Sequence, residues 1–434
     1  MHFSKSQLII ISIAFLIVTL FTLVLIGVIP GLRQDLGPAT QITIWGVHDD
    51  AKDFSGGISR LKSVYPSVQV SYIKKDPATY ETEILNALAL GKGPDIIMIS
   101  NSDLPKYGDK LTPAPINLID IKTIEDKFPL VIKNDLVSQN NIYALPLYLD
   151  TLALFYNEDI FNTNNIIEAP KTWDEFTTLS NNLKKIDRSN KIERAGSALG
   201  GSVASISRVS DIISALMLQS GTKMLSENTT RAIFAEFSQN NINPGREAVD
   251  FYSSFSNPGH KNFTWQDDFV NAIDGFSDGR VAMIIDYSYQ SEIIKNKNPF
   301  LNFKTARLPQ LDINTTPVNY ADYQALAVLK QSQNKNTAWQ VVYNLTLDNI
   351  SADSYAKSSV RPPALRSLLE SCQRDINLSA FCEQSLTSRS WYQIDKNKIS
   401  LIFSDMIKNI TSGKLSAKAS IEQAQDLVTS LMSQ

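Results

Sequence analysis

Residues 142–176 read IYALPLYLDTLALFYNEDIFNTNNIIEAPKTWDEF, and the order of breakers and apolar runs in this stretch decides the fold class. Tyr143 to Pro146 is too short and too rich in breakers for a helix, and the apolar, β-rich run Thr151 to Tyr156 reads as a strand. Tyr148, Leu149 and Asp150 set an aromatic ring and a carboxylate where the chain enters that strand. Thr172 with Glu175 three residues on forms a capping box, each side chain satisfying an orphan backbone N–H, and the helix it starts runs to about Lys185.

Outward from this segment, strands and helices alternate. Ile42 to Val47 is a strand, Phe54 to Tyr65 has helical spacing, and Val68 to Ile73 alternates as a strand. Asp76-Pro77 is expected to open a helix with proline at its first position, and Gly91 to end it. Asp95 to Ser100 is a continuous apolar strand of the kind buried on both faces. This alternation predicts parallel sheets with right-handed crossovers, in which ligands sit beyond the carboxyl ends of the strands. Those ends supply Trp45, His48 and Asp50 after the first strand, and Ser100, Asn101 and Asp103 after the third. Farther on, 203–225 and 245–255 read as helices, and Phe276 to Asp286 reads as a turn feeding a strand that delivers Tyr287 and Tyr289. Tyr323 to Leu329 is another strand, Asn336 to Leu347 a helix, and 396–410 and 417–431 close the chain as helices.

The N-terminal run Leu8 to Ile29 carries no charge and no proline, and its roughly 22 residues match the length of a membrane-crossing helix. It is longer than the apolar core of a cleaved signal peptide and lacks a small-x-small site. An uncleaved, single-pass anchor at the cell membrane is expected, with the charge bias placing the rest of the chain on the extracytoplasmic side. The remaining length calls for at least two domains. A formal net charge of −3 with interspersed signs gives no reason to expect nucleic acid. In such a compartment Cys372 and Cys382 are expected to form a local disulfide, and with only three His a structural metal site is not expected.

Catalytic signatures are scarce. Gly91-Lys92-Gly93-Pro94 lacks the spacing of a phosphate loop. The paired acids Asp49/Asp50 and Asp267/Asp268 could serve glycoside hydrolysis only with a second carboxylate about 5 to 9.5 Å away across a sugar, and adjacent acids are usually solvated loop residues. His48 has no partner pattern for a nucleophilic triad. Neither an enzyme nor a cofactor is expected. Binding of a small polar solute asks instead for aromatic faces and planar polar groups in a desolvated cleft, and the strand-end residues provide both. Trp173 and Trp339 lie among apolar helical neighbours and read as core.

Several punctuation residues recur in an order that resembles the extracellular solute-binding proteins of the first, sugar-binding family, the maltose-binding-protein-like receptors of ABC importers. These are Pro146, Asp150-Thr151, Tyr156-Asn157, Asp159 to Phe161 and Pro170 to Glu175, with Gly91 to Ile97, Phe276 to Asp286, and Ala325 to Val328 followed by Ala338-Trp339. The resemblance implies a type II periplasmic-binding architecture: two α/β lobes, each with a parallel-rich sheet, joined by a hinge and preceded here by one transmembrane helix. It implies an anchor and tether over 1–37, a first lobe from 38–149 plus 316–352, and a second from 150–315 plus 353–434. Crossings between lobes would lie near Leu149, Leu311 to Val318 and Ala352 to Val360. The implied function is capture of a carbohydrate or polyol by hinge closure, with ABC permease subunits as partners, the receptor acting as a monomer. Trp391 matches a position where an aromatic lies under the ligand. Tyr323, preceded by Asp322 in place of paired glycines, and Arg361, in a loop usually reading glycine, leucine, proline, mark departures from the pattern. A surface carbohydrate-active enzyme or a ligand sensor on the same fold is the alternative.

Overall fold

The computed structural model describes residues 4–25, 39–189 and 191–433. The N-terminal helix Lys5–Leu25 spans 21 residues. Among the described residues no helix is long and apolar enough to cross a membrane. The anchor expected over Leu8 to Ile29 extends into residues that, with the tether following it as far as residue 37, lie outside the described ones.

Two apolar cores organise the rest. The first lies on a five-stranded sheet ordered Val68–Lys74, Thr40–Gly46, Ile96–Ser100, Gln324–Val328, Ala144–Pro146. Its first three strands are parallel, as the strand–helix alternation requires, and Gln324–Val328 runs antiparallel to both of its neighbours. Ile96 to Ile99 are buried, which explains why that strand lacks alternation. One helix starts later than expected. Asp76 Oδ1 accepts from Ala78 N at 2.9 Å, an Asx-type turn, so Pro77 precedes the helix Tyr80–Ala89.

The second core surrounds Ala153–Asn157, flanked by Met283–Asp286 and Phe303–Arg307. All pairings in this sheet are antiparallel, against the expectation of a parallel-rich second lobe. The cause is visible in the register: Ala153–Asn157 is central, and both partners run against it. Thr172 and Glu175 form the expected capping box, Glu175 N donating to Thr172 Oγ1 at 3.2 Å, ahead of the helix Trp173–Leu183. Trp173 and Trp339 are core residues, 3% and 1% exposed.

Between the cores lies a short three-stranded sheet: Ser388–Arg389, Asn319–Asp322, Asp150–Thr151. Leu149 belongs to the first core and Leu152 to the second, while Tyr320 belongs to the second and Ala321 to the first. Two chain crossings therefore sit side by side, with Asp150 opposite Asp322. The single run expected from Thr151 to Tyr156 is split at Leu152, because its two halves pair in different sheets. The third crossing falls later than the resemblance implied. Tyr355, Ala364 and Leu365 pack in the first core and Leu369 in the second, so residues 353–365 leave the lobe first assigned to them. Tyr355 fixes this region through ring contact with Phe54 and a 2.8 Å bond to Asp49.

Cys372 and Cys382 are joined by a disulfide between helices Arg366–Cys372 and Ser379–Gln384. Closing so short a loop is worth about 3 kcal/mol in the chain-entropy account. Replacing both by serine is expected to lower the urea-unfolding free energy by about that amount. An unchanged midpoint would show that packing alone holds the segment.

Candidate functional site

Asp150 sits at the first crossing with 1% exposure. Its Oδ2 accepts from Ser288 Oγ at 2.6 Å and Ser288 N at 3.0 Å, and its Oδ1 from Thr151 N at 2.9 Å. Burial nevertheless pushes its pKa up to about 7, these hydrogen bonds opposing the shift. The carboxylate thus ties the hinge strand to the turn carrying Tyr287, Ser288 and Tyr289.

Around Tyr289 the two lobes meet through charge. Arg361 arrives from the first-lobe side after Val360, whose φ of 52° ends the helix Asn349–Ser359 in a left-handed turn. Its guanidinium lies 4.5 Å from the Tyr148 ring and 5.7 Å from that of Tyr289. Arg208, preceding the helix Val209–Gln219, lies 5.3 Å from Tyr287 and 5.4 Å from Tyr289. Each cation has a buried carboxylate beneath it: Arg361 Nε is 3.6 Å from Asp49, and Arg208 Nε is 3.4 Å from Asp286. Burial raises the pKa of Asp49 and pushes that of Asp286 up to about 6, the facing arginines acting in the opposite sense. Lys396 and Asp322 form a further ion pair at 2.6 Å. His48 is exposed at its edge yet enclosed by protein, and desolvation followed by the charge of Arg361 holds its pKa below the ordinary value.

A separate groove of about 640 Å³ has walls from both lobes, Asn101, Asp135 and Tyr143 on one side and Trp391, Tyr392 and Gln393 on the other. Asp135 is its organising group. Oδ2 accepts from Tyr323 OH at 2.8 Å and Asn101 Nδ2 at 3.0 Å, and Oδ1 accepts from Ser390 Oγ, next to Trp391. Burial raises its pKa to about 6. Trp391 is 7% exposed, stacks on Phe403 with ring centroids 6.1 Å apart, and donates to Ser214 Oγ at 3.1 Å.

Of the residues expected at the site, His48, Asn101, Tyr148, Asp150, Tyr289, Tyr323, Arg361 and Trp391 lie on these lobe-facing surfaces. The others do not join them. Trp45 packs against the first core beneath Lys75, whose Nζ is 3.8 Å from its ring. Asp50 is exposed and ion-paired with Lys74 at 2.7 Å. Ser100 and Asp103 cap one another locally, N to Oδ2 at 2.8 Å. Tyr287 is 1% exposed and spends its hydroxyl on Asp211 at 3.1 Å. Asp135, Arg208, Ser390 and Lys396 carry no local signal in the sequence, whereas Ser288 follows from its place between Tyr287 and Tyr289 at the end of the apolar run 281–286, which Asp286 closes.

Two α/β lobes are joined by paired crossings and present aromatic and charged groups to one another. Residues 51–348 match the family model of the bacterial extracellular solute-binding proteins, and the chain belongs to that family. Over 213 residues it is 25% identical to a binding protein of Brucella abortus (strain 2308), a match covering 48% of this chain and 47% of that one. The chain therefore spans about half the length of that curated relative. The galactooligosaccharide-binding protein of Bacillus subtilis (strain 168) is 20% identical over 413 residues, covering 89% of this chain and 88% of the relative. Among solved structures, the cyclic alpha-maltosyl-1,6-maltose binding protein of Arthrobacter globiformis superposes with a TM-score of 0.76 at 17% identity, covering 91% of this chain and 99% of that one. The sugar-binding protein MalE of Xanthomonas citri gives 0.75 at 19%, covering 91% and 98%. The family and these neighbours are binding proteins.

Proposed function

We propose that this chain is the solute receptor of an ABC importer, capturing a saccharide between its lobes and closing about the crossings at 150–151, 320–322 and 365–369. The observation that carries the reading is the cleft itself: the Arg361–Tyr289 contact and the Asp135–Ser390 bond link the two lobes, and a groove of about 640 Å³ takes its walls from both. A ligand touching both surfaces favours the closed state by its differential affinity. The binding specificities of the Bacillus, Arthrobacter and Xanthomonas proteins support a sugar as the solute. We assign ligand contact to Tyr289, Arg361, His48 and Trp391, and a hinge role to Asp150. The uncharged run from Leu8 supports attachment to the membrane with the lobes outside, and membership of the solute-binding family supports permease subunits as the partners of this receptor.

In this reading the chain performs no catalysis. The test is a thermal-shift screen of saccharides on the full chain in detergent. A cognate sugar at one hundred times its Kd is expected to add about 2.7 kcal/mol of stability, scaling with concentration. Absence of any stabilising sugar, or turnover of an oligosaccharide in the same samples, would overturn the proposal.

A further inference from the structure

The cleft places its cations and its carboxylates at different depths. Arg208 keeps 28% of its side chain exposed, Lys396 23% and Arg361 11%, whereas their carboxylate neighbours Asp286 and Asp49 keep 4% and 2%. Asp150 and Asp211 are buried as well, so Asp322, at 20%, is the accessible acid among these groups. What the two lobes present to a solute near Tyr289 is therefore a basic edge with acids recessed behind it. Arg361 Nε has no hydrogen-bond partner and Arg208 Nε has only the long approach of Asp286, although both atoms are buried and Arg361 as a residue is only 9% exposed. Each arginine touches its carboxylate only at ion-pair distance, 3.4 and 3.6 Å. A buried guanidinium donor left without an acceptor is destabilising, and a planar anion is the group that matches its fork. The arginines come from opposite lobes and both face the ring of Tyr289, so one anion bridging them would draw the lobes together.

Resting on the receptor reading above, we propose that the solute is an acidic saccharide whose anionic group is held by Arg208 and Arg361 beside Tyr289. The recessed acids sharpen the case. Burial pushes the pKa of Asp150 up to about 7, so near neutrality that acid offsets the arginines only in part, while Asp286, pushed up to about 6, stays mostly ionised. The anionic group is a carboxylate, as in a uronate, or a phosphate ester, and the test separates the two.

The experiment is calorimetry on the full chain in detergent with matched pairs: digalacturonate against its methyl ester, glucuronate against glucose, and glucose 6-phosphate against glucose. The expected result is binding by the acidic member of a uronate or phosphate pair, with its neutral partner weaker by about 10- to 100-fold, the range of a hydrogen bond to a charged group. Binding is also expected to weaken with added salt. Arg208→Gln should lower acidic-ligand affinity by a similar factor and Arg208→Lys by less. Arg208 is preferred to Arg361 for this purpose because its side chain is the more exposed of the two. If neutral members bind as well as acidic ones, this inference falls and the receptor reading stands. Should no saccharide of either kind bind, both fall.

Discussion

Trp391→Ala is expected to lose about 3 to 5 kcal/mol of stability, the range for deleting a buried aromatic side chain. Against a total of roughly 5 to 15 kcal/mol for a folded protein, that loss alone threatens the second lobe. The indole is 7% exposed, stacked at 17° on Phe403, and its N–H donates to Ser214, which is itself 1% exposed. Removing it opens a cavity and takes away a partner of a buried hydroxyl. The same ring lines the interlobe groove, so affinity is expected to fall by about 2 kcal/mol, roughly thirty-fold, as for an aromatic anchor. Trp391→Phe separates the two roles: it keeps the stack on Phe403 and loses the indole N–H, at a cost of about 1 kcal/mol. Urea unfolding read beside calorimetry with a bound sugar decides between them. A folded Ala variant with unchanged affinity would leave Trp391 as core alone.

Trp391 also shows where a sequence is legible and where it is not. Its family position was readable from the order of neighbouring residues, but its stack on Phe403 and its bond to Ser214 join segments far apart in the chain. Strands and caps were legible because their causes are local: alternation, continuous apolar runs, and a Thr–Glu box that forms as expected. The sense of the second sheet was not, since Ala153–Asn157 takes both partners from residues 283–307. Asp135 was invisible for the same reason. It sits at the end of an ordinary amphipathic helix, and only folding brings Asn101, Tyr323 and Ser390 to its carboxylate. Trp45 and Asp50 erred in the other direction. A strand's carboxyl end narrows the choice of residues, yet the pleat and a nearby Lys74 or Lys75 decide which of them turn toward the cleft.

Asp150→Asn is expected to make stability less sensitive to pH, with the difference from the wild type widening by about 2 to 3 kcal/mol between pH 5 and pH 8. The sign follows from the direction of the shift. Burial raises the folded-state pKa of Asp150 from 3.8 to about 7, so the fold binds this proton more tightly than the unfolded chain does. The associated stabilisation is fully present below about pH 4 and is lost as pH rises through 7. An asparagine has no proton to lose. Its carbonyl can accept from Thr151 N and its amide can donate to Ser288 Oγ, so the hinge keeps most of its hydrogen bonds. Asp49, Asp135 and Asp286 are raised in the same direction but are present in both proteins, and their contributions cancel in the difference. Urea unfolding at half-unit pH steps gives the answer, and a flat difference would mean that Asp150 is solvated in solution. The consequence for closure follows from its partner. Ser288 N and Oγ hold the turn that carries Tyr289, so an ionised Asp150 grips that turn through charge-assisted bonds while remaining costly to bury. Under the hinge role proposed for Asp150, the wild type trades stability above neutrality for a firmer hold on the Tyr289 turn, and the asparagine variant is expected to show the reverse.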